Sequence, residues 1–171
     1  MYKLEEIARR TQVLRRGQRV LDLGAAPGSW TLYAAEQVGP KGHVLAIDLN
    51  ELQISPATNI EIRQGDAREA DDLGTFDVVL SDMAPKTSGQ RAADQYRSYE
   101  LVMTALAIAK RTLVPGGSLV AKIFQGPEFE DARSAFRACF GKVRILRPKA
   151  VRDESYEVFL VGLNFRPEEG S

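Results

Sequence analysis

Apolar and polar positions along the chain follow two alternating patterns. Short apolar runs, typical of buried strands, occupy residues 19–23, 44–49, 60–64, 76–81, 118–124, 143–146 and 157–163. Between them, apolar residues three or four positions apart indicate amphipathic helices over 3–14, 29–38, 94–113 and 128–140. Strands that alternate with helices predict an α/β fold, in which helices cover both faces of a mostly parallel, twisted sheet. The last two strands follow each other across a basic loop, so we expect the final strand to run antiparallel.

Length and composition fit one globular domain. The chain has 171 residues, of which 44% are apolar, and this is ordinary for a protein that buries a single core. We predict one domain over residues 1–165 and a short tail over 166–171. No apolar run approaches the roughly 20 residues of a membrane-spanning helix, and the amino terminus lacks a signal-peptide pattern. We therefore predict a cytoplasmic monomer without a membrane partner.

Cysteine and histidine are too scarce for a disulfide framework or for a metal site built from these residues. The single cysteine, Cys139, excludes an internal disulfide framework, and its apolar neighbours favour the buried side of a helix. The only histidine, His43, begins a strand-like run and has no partner histidine. The carboxylates are scattered rather than clustered, so we predict no metal site.

The most informative stretch joins an apolar run to a glycine-bearing turn and a helix start, in the letters VLDLGAAPGSW that end at Trp30. Glycines such as Gly24 and Gly28 let the backbone approach a ligand, and open α/β sheets bind ligands beyond the carboxyl ends of their strands. The spacing matches neither the dinucleotide fingerprint nor the phosphate loop, which favours a nucleoside without phosphates. Asp48 ends the next strand and could accept hydrogen bonds from a ribose diol. We predict a site for S-adenosylmethionine; the alternative is an ordinary turn that the glycines only shape.

Two further charged residues belong to apolar strands. Asp82 follows the strand-like run 76–81, and Lys122 lies inside the run 118–124. A buried lysine usually has a carboxylate partner or a catalytic task, because desolvation disfavours its charge. The two strands are expected to be neighbours, so contact between Asp82 and Lys122 is geometrically reasonable. A purely structural ion pair is the alternative to a catalytic one.

The formal net charge is zero, but the charges are unevenly distributed. The segment 133–152 contains basic residues and no Asp or Glu, and the segment 3–19 adds six basic residues against two glutamates. If the two segments share a face, they form a basic surface able to contact RNA phosphates. The alternative is a solvated helix and strand edge. The residues predicted to bind RNA are Arg144, Arg147, Lys149 and Arg152.

Six segments in this order and spacing carry a specific resemblance: VLDLGAAPGSW, LAIDL, GDAR, VVLSDMAP, PGGSLVAKIFQG and SYEVFLV. They resemble the FtsJ/RrmJ family of S-adenosylmethionine-dependent ribose 2′-O-methyltransferases that modify large-subunit ribosomal RNA. The similarity extends from residue 2 to about residue 163. It implies a Rossmann-like methyltransferase fold, with S-adenosylmethionine as cofactor and ribosomal RNA, within the large ribosomal subunit, as partner.

The resemblance also implies site residues. The family's catalytic tetrad, Lys-Asp-Lys-Glu, falls on Lys3, Asp82, Lys122 and Glu157. The family's cofactor residues, together with the glycine loop, fall on Gly24, Ala26, Pro27, Gly28, Trp30, Asp48, Asp66 and Asp82, with Asp66 expected at the adenine. Two departures from the family pattern are visible. Ser29 stands where the family commonly has a second glycine, and the basic segment that usually precedes the first tetrad lysine is nearly absent from this sequence.

Methyl transfer to a ribose hydroxyl would use these residue types. Lys122 could take the hydroxyl proton, or it could stay charged and stabilise the developing alkoxide; the sequence leaves both roles open. Asp82 would orient Lys122, and Lys3 and Glu157 would complete a network around the hydroxyl. The alternatives are a transfer RNA ribose methyltransferase, a small-molecule or protein methyltransferase, and a catalytically silent RNA-binding or ribosome-assembly factor.

Overall fold

The computed structural model describes residues 2–55, 57–149 and 156–168. Its helices are α1 (Tyr2–Thr11), α2 (Ser29–Val38), α3 (Arg91–Thr112) and α4 (Phe129–Cys139). Its strands are β1 (Arg19–Leu23), β2 (His43–Asp48), β3 (Ile60–Gln64), β4 (Phe76–Ser81), β5 (Leu113–Phe124), β6 (Phe140–Leu146) and β7 (Glu157–Phe165). A single 3₁₀ turn covers Ala67–Glu69.

The strands form one seven-stranded sheet in the order β3-β2-β1-β4-β5-β7-β6. Strands β1 to β5 are parallel, whereas β7 runs antiparallel to both of its neighbours, β5 and β6. The predicted fold class and the antiparallel last strand are therefore confirmed. The chain steps outward from β1 to β3 and then returns to place β4 on the other side of β1. This reversal is the point at which open α/β sheets hold ligands, at the carboxyl ends of the strands.

Alternation along the strands separates two apolar layers. Val20 packs with residues of α1 and α2 on one face of the sheet, and its neighbour Leu21 packs with α3 and α4 on the other. Cys139 is a free, buried thiol at the end of α4, as its apolar neighbours predicted. Within the described residues, no helix is long and apolar enough to cross a membrane.

Several boundaries differ from the sequence prediction by one to five residues, and two of them have a clear local cause. Helix α1 ends at Thr11 rather than residue 14, because Gln12 takes a left-handed conformation with φ 58°. Strand β5 begins at Leu113, well before the predicted residue 118, so the predicted start of this strand was wrong. Leu113 pairs with Phe76 of β4. A β-bulge after this pair accommodates the segment from Pro115 to Gly117.

Candidate active site

The glycine loop after β1 is closely packed against its surroundings. Gly24 has φ 66°, and a Cβ built there would lie 2.4 Å from Cγ of Met83. Gly28 has φ 128°, and its Cβ would lie 2.5 Å from Cγ2 of Ile54. Both positions combine a left-handed backbone with a contact that no side chain could tolerate without movement. The shape of the loop therefore requires glycine at both positions. The loop forms one wall of the adjacent cavity.

A cavity of about 380 Å³ lies at the carboxyl ends of β1, β2, β3 and β4. Five of the residues predicted to bind the cofactor line it: Gly24, Ala26, Asp48, Asp66 and Asp82. The other three, Pro27, Gly28 and Trp30, are not among its lining residues. Trp30 is buried, and its ring centroid lies 5.8 Å from that of Phe159. The structure thus places Trp30 in the core beside the site rather than in the cavity wall.

Asp48 holds the glycine loop against the end of β2. Its Oδ2 accepts a hydrogen bond from the backbone N–H of Ala26 at 2.9 Å, and its Oδ1 accepts one from Asn50 N–H at 2.7 Å. A carboxylate has about four acceptor positions, so each oxygen retains one. Asp48 can therefore shape the loop and still accept hydrogen bonds from a ligand in the cavity.

Asp66 is clamped by its own neighbour, Arg68. The guanidinium Nη2 of Arg68 donates to Oδ2 at 2.7 Å, Nε donates to both oxygens, and the backbone N–H of Arg68 donates to Oδ1 at 2.9 Å. These hydrogen bonds hold the pKa of Asp66 below its ordinary value. Asp66 is consequently an ionised acceptor, held in a fixed orientation at the cavity wall.

The four residues assigned by resemblance to a catalytic tetrad form two ion pairs. Nζ of Lys122 lies 3.1 Å from Oδ1 of Asp82. Nζ of Lys3 donates a hydrogen bond to Oε1 of Glu157. The side chains of Lys122 and Glu157 are only 11% and 12% exposed. Asp82 directly follows β4, Lys122 lies in β5 and Glu157 begins β7, and these three strands are neighbours in the sheet. Helix α1 brings Lys3 to them.

Asp82 connects the cavity to the two ion pairs. Burial raises the pKa of its carboxyl above the ordinary value, the positive charges of Lys122 and Lys3 oppose this rise, and Glu157 adds to it. Oδ1 is buried, whereas the side chain as a whole is 34% exposed. The carboxylate therefore has one face toward Lys122 and another toward the cavity that it lines.

Asp22 is a buried acid that the sequence analysis missed. It lies in β1 with no exposed surface, and its Oδ2 accepts a hydrogen bond of 2.7 Å from the hydroxyl of Thr31. Oδ1 has no hydrogen-bond partner among the described residues. Burial, reinforced by the charges of Asp82 and Asp48, raises the pKa of Asp22 to about 7. The signal was available, since Asp22 interrupts an apolar strand just as Lys122 does.

The two basic segments meet on one side of the sheet, but only in part. Nη1 of Arg144 donates a hydrogen bond of 2.8 Å to the backbone carbonyl of Arg10 in α1, and the backbone N–H of Lys149 donates to Glu6 at 2.9 Å. Arg133 and Arg137 instead lie on α4, which packs against the opposite face. Of the other residues predicted to bind RNA, Arg147 follows β6, and Arg152 lies outside the described residues.

Carboxylates reduce the positive charge of this side of the molecule. Arg9 and Arg10 of α1 pair with Glu5 and Glu6, four positions earlier along the helix. Such exposed pairs contribute little to stability, but they lower the local potential. Within the part of the chain that the structure describes, no three His, Cys, Asp or Glu side chains are grouped so that they could hold a metal ion.

Comparison with solved structures identifies the fold as that of a methyltransferase. A Plasmodium falciparum protein assigned as a ribosomal RNA methyltransferase superposes with a TM-score of 0.86 at 23% identity, covering 98% of this chain and 97% of that one. A SAM-dependent methyltransferase from Aquifex aeolicus superposes with a TM-score of 0.65 at 21% identity, covering 95% and 90% of the two chains. At these identities the likeness concerns the fold.

Sequence comparison defines the family. The model of the FtsJ-like methyltransferase family matches residues 1–165. Over 168 residues, the chain is 51% identical to the ribosomal RNA large subunit methyltransferase E of Sorangium cellulosum, covering 95% of this chain and 79% of the relative. It is 48% identical to the protein of the same name from Nitratidesulfovibrio vulgaris, covering 100% and 88%. The chain belongs to the FtsJ-like methyltransferase family, as its motifs indicated.

Proposed function

We propose that this enzyme transfers a methyl group from S-adenosylmethionine to a ribose 2′-hydroxyl of large-subunit ribosomal RNA. The relatives that are about half identical to it carry the name of a large-subunit ribosomal RNA methyltransferase. The observation that carries the proposal is the pair of contacts Lys122–Asp82 and Lys3–Glu157 at the edge of the cavity. A methyltransferase acting on an already nucleophilic small molecule would have no need for this arrangement.

The cavity suits an adenosine-containing cofactor. Asp48 offers acceptor capacity to a ribose diol, and Asp66, whose oxygens accept from Arg68, is an ionised carboxylate in the wall where the resemblance places the adenine. Gly24 leaves space where a Cβ would collide with Met83. S-Adenosylmethionine would supply an electrophilic methyl group on a sulfonium ion. Asp82, at the end of the cavity nearest Lys122, then marks the side from which the ribose oxygen approaches.

The protein must position the ribose and assist the departure of the proton from its 2′-hydroxyl. A ribose hydroxyl holds its proton at neutral pH and becomes a better nucleophile as that proton leaves. Nζ of Lys122 lies beside Asp82 and is the group available to the hydroxyl: as a neutral amine it would accept this proton, and as an ammonium it would stabilise the developing alkoxide. Nζ of Lys3, held by Glu157, adds a second donor beside the hydroxyl. Fixing the oxygen on the line of attack contributes a further large part of the rate.

The cofactor assignment predicts the effect of Asp48→Ala. We expect the variant to bind S-adenosylmethionine more weakly by about 1–3 kcal/mol, because charge-assisted hydrogen bonds to the ribose are lost. Asp48→Asn should lose part of this affinity, since one acceptor oxygen and the charge are removed. Isothermal titration calorimetry measures the difference. Asp71→Ala, which removes an exposed carboxylate outside the cavity, is the matched control; wild-type affinity in Asp48→Ala would contradict the assignment.

The basic surface predicts an electrostatic contribution to RNA binding. Charge reversal at Arg144 and Arg147 should weaken RNA binding and flatten its dependence on salt, while the affinity for S-adenosylmethionine stays unchanged. The control reverses the same number of charges at Arg133 and Arg137, on α4 at the opposite face. Filter binding across a salt titration compares the variants. Equal salt slopes for both double variants would place the RNA elsewhere on the surface.

The substrate is tested by assaying purified protein on large ribosomal subunits, naked ribosomal RNA and transfer RNA from cells that lack it. We expect methyl incorporation into the large subunit and weak activity on naked RNA, with mass spectrometry locating the product on a ribose 2′-oxygen. Methyl incorporation into transfer RNA alone would show that the substrate is transfer RNA rather than ribosomal RNA. Incorporation into neither would overturn the proposal.

We propose that residues 1–165 form one domain followed by a tail over 166–171, and that the protein acts as a cytoplasmic monomer. Sedimentation of the purified protein tests the oligomeric state. A single methyltransferase domain brings its own cofactor loop and tetrad together, so a monomer would be sufficient for the reaction.

A further inference from the structure

Three side chains form a row beside the tetrad that neither the core nor the proposed chemistry uses. The rings of Phe124 and Tyr156 meet edge to face, with centroids 4.9 Å apart and an interplanar angle of 66°. The guanidinium carbon of Arg91 lies over the Tyr156 ring, 4.6 Å from its centroid. We call Phe124, Tyr156 and Arg91 the aromatic row.

The backbone fixes this row next to the catalytic groups. Phe124 is two positions after Lys122 in β5, so both side chains leave the same face of the sheet. Glu157, the residue after Tyr156, pairs with Phe124 in the β5–β7 ladder. The backbone N–H of Gln125 also donates a hydrogen bond of 2.8 Å to the carbonyl of Tyr156. The row is thus held by the same two strands that position Lys122 and Glu157.

Packing does not explain the aromatic row. Phe124 and Tyr156 are half-buried and belong to none of the buried apolar clusters, and Arg91 is exposed at the first position of α3. The two rings and the guanidinium therefore remain at least partly accessible, next to the strand positions that carry Lys122 and Glu157. Planar π-faces with an adjacent cation are the surface on which nucleic-acid bases stack.

We propose that the aromatic row binds the base of the target nucleotide, which stacks on the Tyr156–Arg91 pair. In a nucleotide the base is attached to the carbon next to the one that bears the 2′-hydroxyl. A ribose whose hydroxyl reaches Lys122 must therefore place its base close beside the tetrad, where the row lies. Phe124 supports the Tyr156 ring from its edge, and Arg91 adds a planar, positively charged face. This inference rests on the proposed transfer to RNA and adds the subsite that holds the base.

Substitutions test the subsite through the two kinetic constants. Loss of a stacking ring should raise the KM for large ribosomal subunits by roughly 5- to 100-fold in Tyr156→Ala, the range expected when one base loses its aromatic partner. Tyr156→Phe keeps the ring and should restore the lower KM. Arg91→Ala should raise KM less than Tyr156→Ala. The affinity for S-adenosylmethionine should not change in any of them, because the row does not line the cofactor cavity.

A control and a spectroscopic measurement separate stacking from a merely structural role. Tyr96 is also exposed and lies 6.0 Å from the ring of Tyr99, outside the row, so Tyr96→Ala should keep wild-type constants. The chain has five tyrosines, and the ¹⁹F resonance of Tyr156 in fluorotyrosine-labelled protein can be assigned by its loss in Tyr156→Phe. It should shift on titration with uridine 5′-monophosphate or a short oligouridylate, and not with ribose 5-phosphate, which lacks a base.

The outcomes distinguish the two proposals. Suppose that the wild type methylates the large subunit, but Tyr156→Ala has the wild-type KM and the ¹⁹F resonance of Tyr156 does not shift with uridine 5′-monophosphate. The proposed base subsite is then wrong, and the proposed function is unaffected. An equal shift of the Tyr156 resonance with ribose 5-phosphate would show that the aromatic row binds sugar phosphate rather than a base. This result would also overturn the proposed base subsite. If the wild type methylates no RNA, the proposed function itself fails, whatever the resonance shows.

Discussion

Lys122→Ala is expected to lower the rate of methyl transfer by about 10²- to 10⁴-fold, the range in which a positioned proton-transfer group contributes. The Lys122 side chain is the group that Asp82 holds at the edge of the cavity, and its removal deprives the ribose hydroxyl of the group that would accept its proton or stabilise its alkoxide. The fold and the affinity for S-adenosylmethionine should be preserved, because the cavity is lined from other strands. Single-turnover methyl transfer from radiolabelled cofactor measures the loss.

Two further variants sharpen this test. Lys122→Arg should be nearly as inactive, since a guanidinium stays protonated and is too wide to take the place of an ammonium. Lys110→Ala removes an exposed lysine of α3 and should keep the wild-type rate. A folded Lys122→Ala protein with near-normal turnover would remove Lys122 from the mechanism. The rate of the parent enzyme against pH then separates proton acceptance, which gives a rate that rises with pH, from stabilisation of the alkoxide by a charged lysine.

Asp22→Asn is expected to change how protein stability depends on pH. The folded-state pKa of Asp22 is raised from 3.8 to about 7, so the folded protein retains a proton that the unfolded chain releases. Stability of the wild type should therefore fall as pH rises from about 4 to about 7, and this contribution should level off above that range. The loss is up to about 4 kcal/mol, at about 1.4 kcal/mol for each pKa unit. The asparagine variant should not show it.

Urea denaturation between pH 4 and pH 8 measures this difference. Asparagine retains an acceptor for the Thr31 hydroxyl, so the substitution removes the charge and keeps the hydrogen bond. The variant should gain stability over the wild type with rising pH, whereas the exposed-site control Asp71→Asn should follow the wild type. Parallel curves for Asp22→Asn and the wild type would show that Asp22 is ionised or neutral to the same degree in both states.

Local patterns predicted the fold well wherever one element was bounded by clear signals. Strands β1, β3 and β4 begin and end at the residues that apolar runs and flanking turn residues indicated. The start of β5 was missed because Pro115 and two glycines are typical of a turn, and only the neighbouring strand shows that the segment is extended. Pairing between distant segments overrides local propensity at such positions.

The candidate site was predictable to the extent that single residues carried a signal. Lys122 stood out as a charge in an apolar strand, and the resemblance supplied the other tetrad positions. Asp22 carried the same signal but is part of the apolar run 19–23 and was not singled out. The hydrogen bonds from Arg68 to Asp66 depend on the direction of the two side chains. The contact of Arg91 with Tyr156 depends on packing between distant segments. No periodicity or spacing in a sequence encodes such contacts.

The insertion of β7 between β5 and β6 has a consequence for the order in which the enzyme is made. Of the seven strands of this sheet, β7 is synthesised last, yet it occupies an interior place in the sheet and carries Glu157, the partner of Lys3 in the first helix. A chain still emerging from the ribosome therefore has its cofactor loop but lacks both the completed sheet and the fourth tetrad residue. Contacts of such long sequence separation form late. Catalytic competence should thus appear only after β7 has left the ribosome.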